Sequence, residues 1–351
     1  MGTMIEFHIL NSLPLNCVNR GEDGEIKTVM YGGVVRQRVS SQAWKRSMRE
    51  YIQGNSTNKG ISSKCWTSKS PGARCWASKV EAELITRGVS IETAKKKVDK
   101  LFKLAEKDNV MMYLSHEEFT AVVEGLCTGD DSLYNIIKGA QARISEDISA
   151  FGRMFADNKD MNVEGAVRVA HAISTHEIEQ ETDYFTAFDD ISNADGETGA
   201  GHLGALAYTS SVLYRHIAMD VDLYFNNLMV TLSAEEKALS LEKVIKAIVD
   251  TFPKGKQNSM LAESRPHYVM MVVKSIKMPD SLAVAFESPV KAKKDGLLNP
   301  SIDAIRKGVN DLESMYGEDL GIIEKTEAYL GNNTNRSQAI KSIIDAAISR
   351  L

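Results

Sequence analysis

Basic side chains crowd one stretch of this sequence. Between Ile26 and Lys79 stand Lys27, Arg36, Arg38, Lys45, Arg46, Arg49, Lys59, Lys64, Lys69, Arg74 and Lys79, opposed by Glu50 alone, for a local net charge of +10. A block of this kind attracts phosphate. Its spacing adds geometry: Lys45 and Arg49 are four apart with Gln42 one turn earlier, so a helix beginning after Ser40 or Ser41 puts all three on one solvent-facing side. The start of that helix offers unpaired N–H groups and the positive end of a dipole. Together with the Ser40 and Ser41 hydroxyls, Arg36 and Arg38, these groups can converge on a sugar-phosphate chain. Arginine, serine and backbone amides are the usual donors to such a chain, and contacts of that kind carry no base sequence.

The opposite charge is gathered elsewhere. From Val169 to Tyr214 there is no Lys or Arg, while Glu177, Glu179, Glu181, Asp183, Asp189, Asp190, Asp195 and Glu197 all fall there. This segment repels phosphate, or meets a basic surface. The net charge of -5 is therefore an average over two separate blocks. A smaller oddity is a pair of related units, Lys64-Cys65-Trp66-Thr67-Ser68-Lys69 and Arg74-Cys75-Trp76-Ala77-Ser78-Lys79. Tryptophan beside cations suits base stacking, and it equally suits packing in a core.

Catalytic sets are missing from the sequence. The seven histidines are scattered, and no Cys/His spacing matches a metal site. Gly32-Gly33 lacks the following Lys-Ser/Thr of a phosphate loop, and Ser41 lacks a lysine three residues on. Asp189-Asp190 can attract a divalent ion but sits among other surface carboxylates. Asp23, flanked by Glu22 and Glu25, is the one loop carboxylate placed where it can assist RNA cleavage, without a partnering base. No enzyme activity, metal or cofactor is expected.

The elements that position these residues can be read from periodicity. Ile5–Leu15 is apolar and β-branched, a first strand. A basic extended segment and the helix from Gln42 to about Tyr51 follow, then a polar stretch from Asn55 to Ser78 read as loop. Ile91–Lys107, Glu117–Leu126 and Ser132–Ser149 read as helices. Strand character returns in Gly165–Ile178 and Tyr208–Leu223. Ser233 caps a helix over Ala234–Asp250, and Pro266–Ile276 reads as the last strand before a helical C-terminus. The order βαββαβ with insertions predicts an α+β, RRM-like (ferredoxin-like) fold. The composition, 43% hydrophobic and 25% charged, is that of an ordinary globular protein. Four scattered cysteines, no long apolar run and no export-type start point to a cytoplasmic protein that does not enter a membrane.

Taken in order, these residues resemble a known family. Cys17-Val18-Asn19-Arg20 and Tyr31-Gly32-Gly33 precede Arg36, Arg38-Val39-Ser40-Ser41-Gln42, Lys45-Arg46 and Arg49. Further on come Gly152-Arg153-Met154, Ala170–His176, Asp183–Asp190, Ala200–Gly204, Ser210–Arg215, Lys254-Gly255-Lys256-Gln257-Asn258 and Ala285–Val290. This series resembles the backbone subunits of the type I-E CRISPR Cascade complex, the CasC or Cse-four family of the Cas-seven superfamily. The likeness covers roughly 4–50, 150–225 and 250–300 and is faint elsewhere.

The resemblance implies a palm (1–51, 151–178 and 208–300), a helical fingers insertion (52–150), an extended β-type thumb (179–207) and a C-terminal helical segment packing on the palm (301–351). It implies a crRNA-binding subunit that stacks head to tail with other copies of itself, about six, along the guide. Other Cascade subunits and target DNA paired to the guide are the further partners. The contact set so implied is Arg20, Lys27, Arg38, Ser40, Gln42, Lys45, Arg46 and Arg49, with Arg153 and Met154. The acidic thumb would act as a wedge through Phe185, Phe188 and Leu203, or its carboxylates would meet a neighbour's basic surface. The rival reading is a type III-like backbone subunit that cleaves target RNA with a loop aspartate, here Asp23.

Overall fold

The computed structural model describes residues 2–64, 75–102, 111–129, 132–140, 142–155, 159–187, 202–228, 231–330 and 334–351. The chain divides into two compact units, one formed by Met1–Met48, Val169–Ala218 and Ile245–Leu351, the other by Arg49–Arg168 and Met219–Val244. The 301–351 segment falls in the first unit, and 219–244 in the second. The strands are β1 (Met4–Asn16), β2 (Thr28–Tyr31), β3 (Val34–Val39), β4 (Gly60–Lys64), β5 (Met111–Ser115), β6 (Val167–Val169), β7 (Ala172–Ser174), β8 (Glu181–Ala187), β9 (His202–Asp220), β10 (Tyr268–Lys274) and β11 (Ile322–Tyr329). The helices are α1 (Ser41–Gly54), α2 (Trp76–Thr86), α3 (Ile91–Phe102), α4 (His116–Thr128), α5 (Leu133–Gly139), α6 (Glu146–Phe151), α7 (Val221–Leu228), α8 (Ala234–Asp250), α9 (Leu298–Tyr316) and α10 (Arg336–Ile348).

The first unit is built on a sheet of order β11-β10-β1-β9-β7-β3-β2. Its inner run, β10-β1-β9-β7, takes the four strands of a βαββαβ unit in the spatial order 4-1-3-2, the ferredoxin-like arrangement. β10 is Tyr-Val-Met-Met-Val-Val-Lys and is buried along its whole length, so both of its faces are covered. On one face Leu10, Val212, Tyr214, Tyr268, Met270 and Val272 pack with Leu282, Phe286, Ile302 and Ile305, the last two from α9. Elsewhere in the unit Trp44 of α1 lies with the Arg215 guanidinium 3.9 Å over its ring and meets Phe252 edge-on at 5.5 Å.

β11 was expected to be helix. Its sequence, Ile-Ile-Glu-Lys-Thr-Glu-Ala-Tyr, carries helix-favouring charges, but antiparallel pairing with β10 over Tyr268–Lys274 overrides that local preference. The Asn55–Ser78 loop is also revised, since β4 pairs with β5 and α2 begins at Trp76. Trp76 is fully buried in the second unit's core with Val80, Leu84, Val122 and Leu126, and its Nε1 donates to the Met112 carbonyl at 2.9 Å. Trp76 is a core residue and no stacking platform. Cys65 and Trp66 lie outside the described residues. Among the described residues no helix is long and apolar enough to cross a membrane.

Two buried histidines of the first unit are held neutral. His8 contacts the Tyr214 hydroxyl at 2.9 Å and stacks on His216 at 5.0 Å, and burial first, then His216 and Lys274, push its pKa well below 6.5. His176 contacts the Glu177 carbonyl through Nδ1 and accepts the Val212 N–H at Nε2, and burial lowers its pKa too. A histidine whose folded pKa is depressed leaves the unfolded chain to take up the proton first. Stability is therefore complete above pH 6.5 and declines as pH falls below it, by up to about 1.4 kcal/mol per pH unit for each histidine. Urea unfolding at about pH 7.5 and about pH 5.5 should show this loss, reduced in His8→Asn. A midpoint that does not move between the two would contradict it.

Candidate nucleic-acid interface

The β2–β3 hairpin turns through Gly32 and Gly33, both at positive φ (62° and 79°), as a two-residue primed turn requires. A Cβ on Gly32 would stand 1.7 Å from the Glu287 carbonyl oxygen, so only glycine fits. Arg36, in the following strand, faces inward. It is fully buried and donates to the carbonyls of Tyr31 (3.2 Å), Ser174 (3.2 Å), Phe286 (2.8 Å) and Glu287 (3.4 Å). It is therefore a structural cation, and the expectation that it meets a phosphate is corrected.

Arg20, Lys27 and Arg38 are arranged around Asn19. Its carbonyl accepts the Lys27 N–H at 3.0 Å, and its side-chain Oδ1 accepts the Ser40 N–H at 2.9 Å. The Arg38 N–H donates to the Lys27 carbonyl at 2.8 Å, and Arg20 bridges Ile26. One asparagine thus binds together the loop after β1, the approach to β2 and the junction of β3 with α1. Arg20 is exposed, and Lys27 and Arg38 are half-buried. Among the described residues the Arg20 and Lys27 side chains make no ion pair. The Arg38 guanidinium is held in place, Nε on the Thr28 carbonyl (3.4 Å) and Nη1 on His171 Nδ1 (3.1 Å).

Ser40 caps α1: its Oγ accepts the Ala43 N–H at 3.3 Å, and the residue is buried. Its oxygen shapes the helix start. Gln42 is exposed, Lys45 half-buried and Arg46 exposed, the last two engaged within the chain. Asp23 Oδ1 accepts the Glu25 N–H at 3.0 Å, closing a turn.

In the second unit Arg49 does not point freely to solvent. Its guanidinium lies 4.8 Å over the Tyr113 ring and 5.6 Å from Phe151, and donates to the Gly152 carbonyl at 2.9 Å. Arg153 is a correction as well. Its side chain is 4% exposed, and it pairs at 2.6 Å with Glu118, which is 1% exposed. Met154 is 79% exposed. Arg49, Met111, Tyr113, Phe151 and Met154 line a recess of roughly 480 Å³.

The expected thumb is in part a hairpin, β8 on β9 from Glu181↔Tyr208 to Ala187↔His202. Phe185 lies across Gly204, where a Cβ would stand 2.3 Å from its ring, and remains half exposed at 48%. Tyr184, which the apolar-tip reading passed over, is 71% exposed. Phe188 and the Leu203 side chain lie outside the described residues. Asn19 and His171 were also missed as organisers. Asn19 carries no local signal of that role, and His171 is one of seven histidines scattered along the sequence.

A family model for CT1975-like proteins matches residues 5–349. The chain belongs to the CT1975-like family. This CT1975-like chain superposes on a chain of a CRISPR RNA-guided surveillance complex, pre-nicking, with TM-score 0.81 at 23% identity, over 98% of this chain and 100% of that one. A chain of a second CRISPR RNA-guided surveillance complex gives TM-score 0.62 at 24% identity, over 99% of both. Both likenesses are in fold. No curated protein matches the sequence.

Because Arg153 and Glu118 are a buried pair, removing one partner strands the other. Arg153→Met should cost about 3 to 5 kcal/mol, and the double variant Arg153→Met with Glu118→Leu should recover much of that. Denaturant titration of the wild type, both single variants and the double variant measures it. Losses that simply add in the double variant would show that the pair does not act as one.

Proposed function

We propose that this chain is a crRNA-binding, non-catalytic backbone subunit of a type I-E CRISPR Cascade surveillance complex. The observation that carries the reading is the first-unit cluster of Arg20, Lys27 and Arg38, aligned through Asn19 at the edge of an RRM-like sheet. The similarity in fold to chains of two surveillance complexes supports it, and the type I-E assignment rests on the motif series. The proposed contacts are Arg20, Lys27, Arg38, Gln42, Lys45 and Arg46 in the first unit, with Ser40 shaping that surface from within. Met154 and Arg49 of the second unit are proposed to meet the guide separately.

These groups are donors and cations, suited to phosphate and ribose, and phosphate contacts carry no sequence information. A subunit that holds any guide needs that property, because pairing with target DNA reads the sequence. Copies would follow one another head to tail along the guide. The β8–β9 hairpin, with Tyr184 and Phe185 exposed, is the proposed wedge between guide bases. The RNA-cleaving alternative would rest on Asp23, an exposed loop carboxylate whose Oδ1 accepts the Glu25 N–H.

Two guides of equal length and scrambled sequence should bind within about tenfold of each other, about 1.4 kcal/mol. Affinity should fall with salt by about 0.7 log units per decade for each phosphate neutralised. Anisotropy titrations across a salt series test both. A strong preference for one guide, or binding indifferent to salt, would overturn the reading.

A further inference from the structure

The Lys254–Leu261 turn holds a single helical turn, Gln257–Met260, flanked by two non-glycine residues with left-handed backbone, Lys256 (φ 53°) and Leu261 (φ 44°). L-residues avoid this region because Cβ crowds the following carbonyl. What forces it is visible on either side of Lys256. Before it, Gly255 lies directly on the chain at Val18, where a Cβ would stand 2.2 Å from the carbonyl oxygen. After it, the Lys256 carbonyl accepts the N–H groups of Ser259 (3.2 Å) and Met260 (3.0 Å), and Met260 packs on the small cluster of Cys17, Ile26 and Ala207. The turn is therefore clamped to the loop that carries Arg20.

The lysine held in this way has no task inside its own unit. It is half-buried, and among the described residues its ammonium makes no hydrogen bond and no ion pair. Cys17 lies within reach of the charges of both Lys256 and Arg20, as well as that of Glu25, so the two cations share one neighbourhood. A partly buried cation without a partner is unfavourable until an anion arrives. Strained backbone of this kind persists where a binding site requires it.

We propose that Lys256 is a further RNA contact, presented in a strained conformation so that its ammonium meets a backbone phosphate beside the one at Arg20. This rests on the RNA-binding reading above and extends it to a segment that reading leaves without a role. The contact is to phosphate, so it is blind to base identity.

Glycine separates the two halves of the idea, because it adopts φ near 53° without strain and carries no charge. Purified Lys256→Gly should melt at or above the wild-type temperature. Yet its affinity for a short single-stranded RNA should fall, and its salt slope should shrink by about 0.7, one phosphate contact. Lys256→Arg, which keeps the charge, should retain the wild-type slope. A Lys256→Gly chain with wild-type affinity and slope overturns the contact, and one that melts lower overturns the strain. If the wild-type chain shows no salt-dependent RNA binding, the functional reading fails with it, whereas normal wild-type behaviour beside an unchanged Lys256→Gly sinks this inference alone.

Discussion

The 2.9 Å hydrogen bond from the Ser40 amide to Asn19 Oδ1 fixes where β3 stops and α1 starts. Much of the proposed surface depends on that junction. Arg38 sits two residues before it and Gln42 two residues after, while Lys27 is tied to the same asparagine through its backbone. A neutral side chain thereby sets the spacing of charges that would otherwise repel. Like charges repel, so their alignment needs a scaffold that does not itself rely on ion pairs. The backbone hydrogen bonds of the loop, the hairpin turn at Gly32-Gly33 and the buried Arg36 supply it. Arg36 is the deepest support: four carbonyls from three chain segments converge on one guanidinium, which locks the hairpin against the 286–287 segment.

Cations in this protein therefore divide by environment rather than by position in the basic block. Arg36 and Arg153 are interior and paired with carbonyls or a carboxylate, so they belong to the fold. Arg20 and Lys27 have no such partner among the described residues, and Arg38 is oriented by neighbours that leave it half-buried. A surface made this way is open to an anion without reorganisation, which suits gripping a polymer of uniform charge.

The sequence was most legible where periodicity and caps agree. β1, β10, the Ser40 cap of α1 and the span of α8 follow directly from apolar runs and capping residues, and the ferredoxin-like strand order follows from their sequence. β11 was not legible, because Glu324, Lys325 and Glu327 mimic a helical surface and only β10 makes them a strand. Trp76 was ambiguous because a tryptophan between basic residues looks the same on a surface and at the edge of a core. The site was legible as a set of cations but not as a division of labour. Nothing local distinguishes Arg36 from Arg38, which stand two residues apart on the same face of β3; the carbonyls of Ser174, Phe286 and Glu287 gather around Arg36, whereas Arg38 meets His171. Asn19 and Lys256 carry no local signal, because Asn19 acts through Ser40, far away in sequence, and Lys256 is set by its neighbour Gly255 lying on Val18.

The central claim is that the RNA backbone lies along the segments joined at Asn19. Hydrogen–deuterium exchange of the full chain with and without guide RNA addresses it without any substitution. The account predicts slowed exchange in 17–28, 36–46 and 254–261, with little change in α9 and β11. Protection confined to other segments, or none despite measured binding, would contradict it.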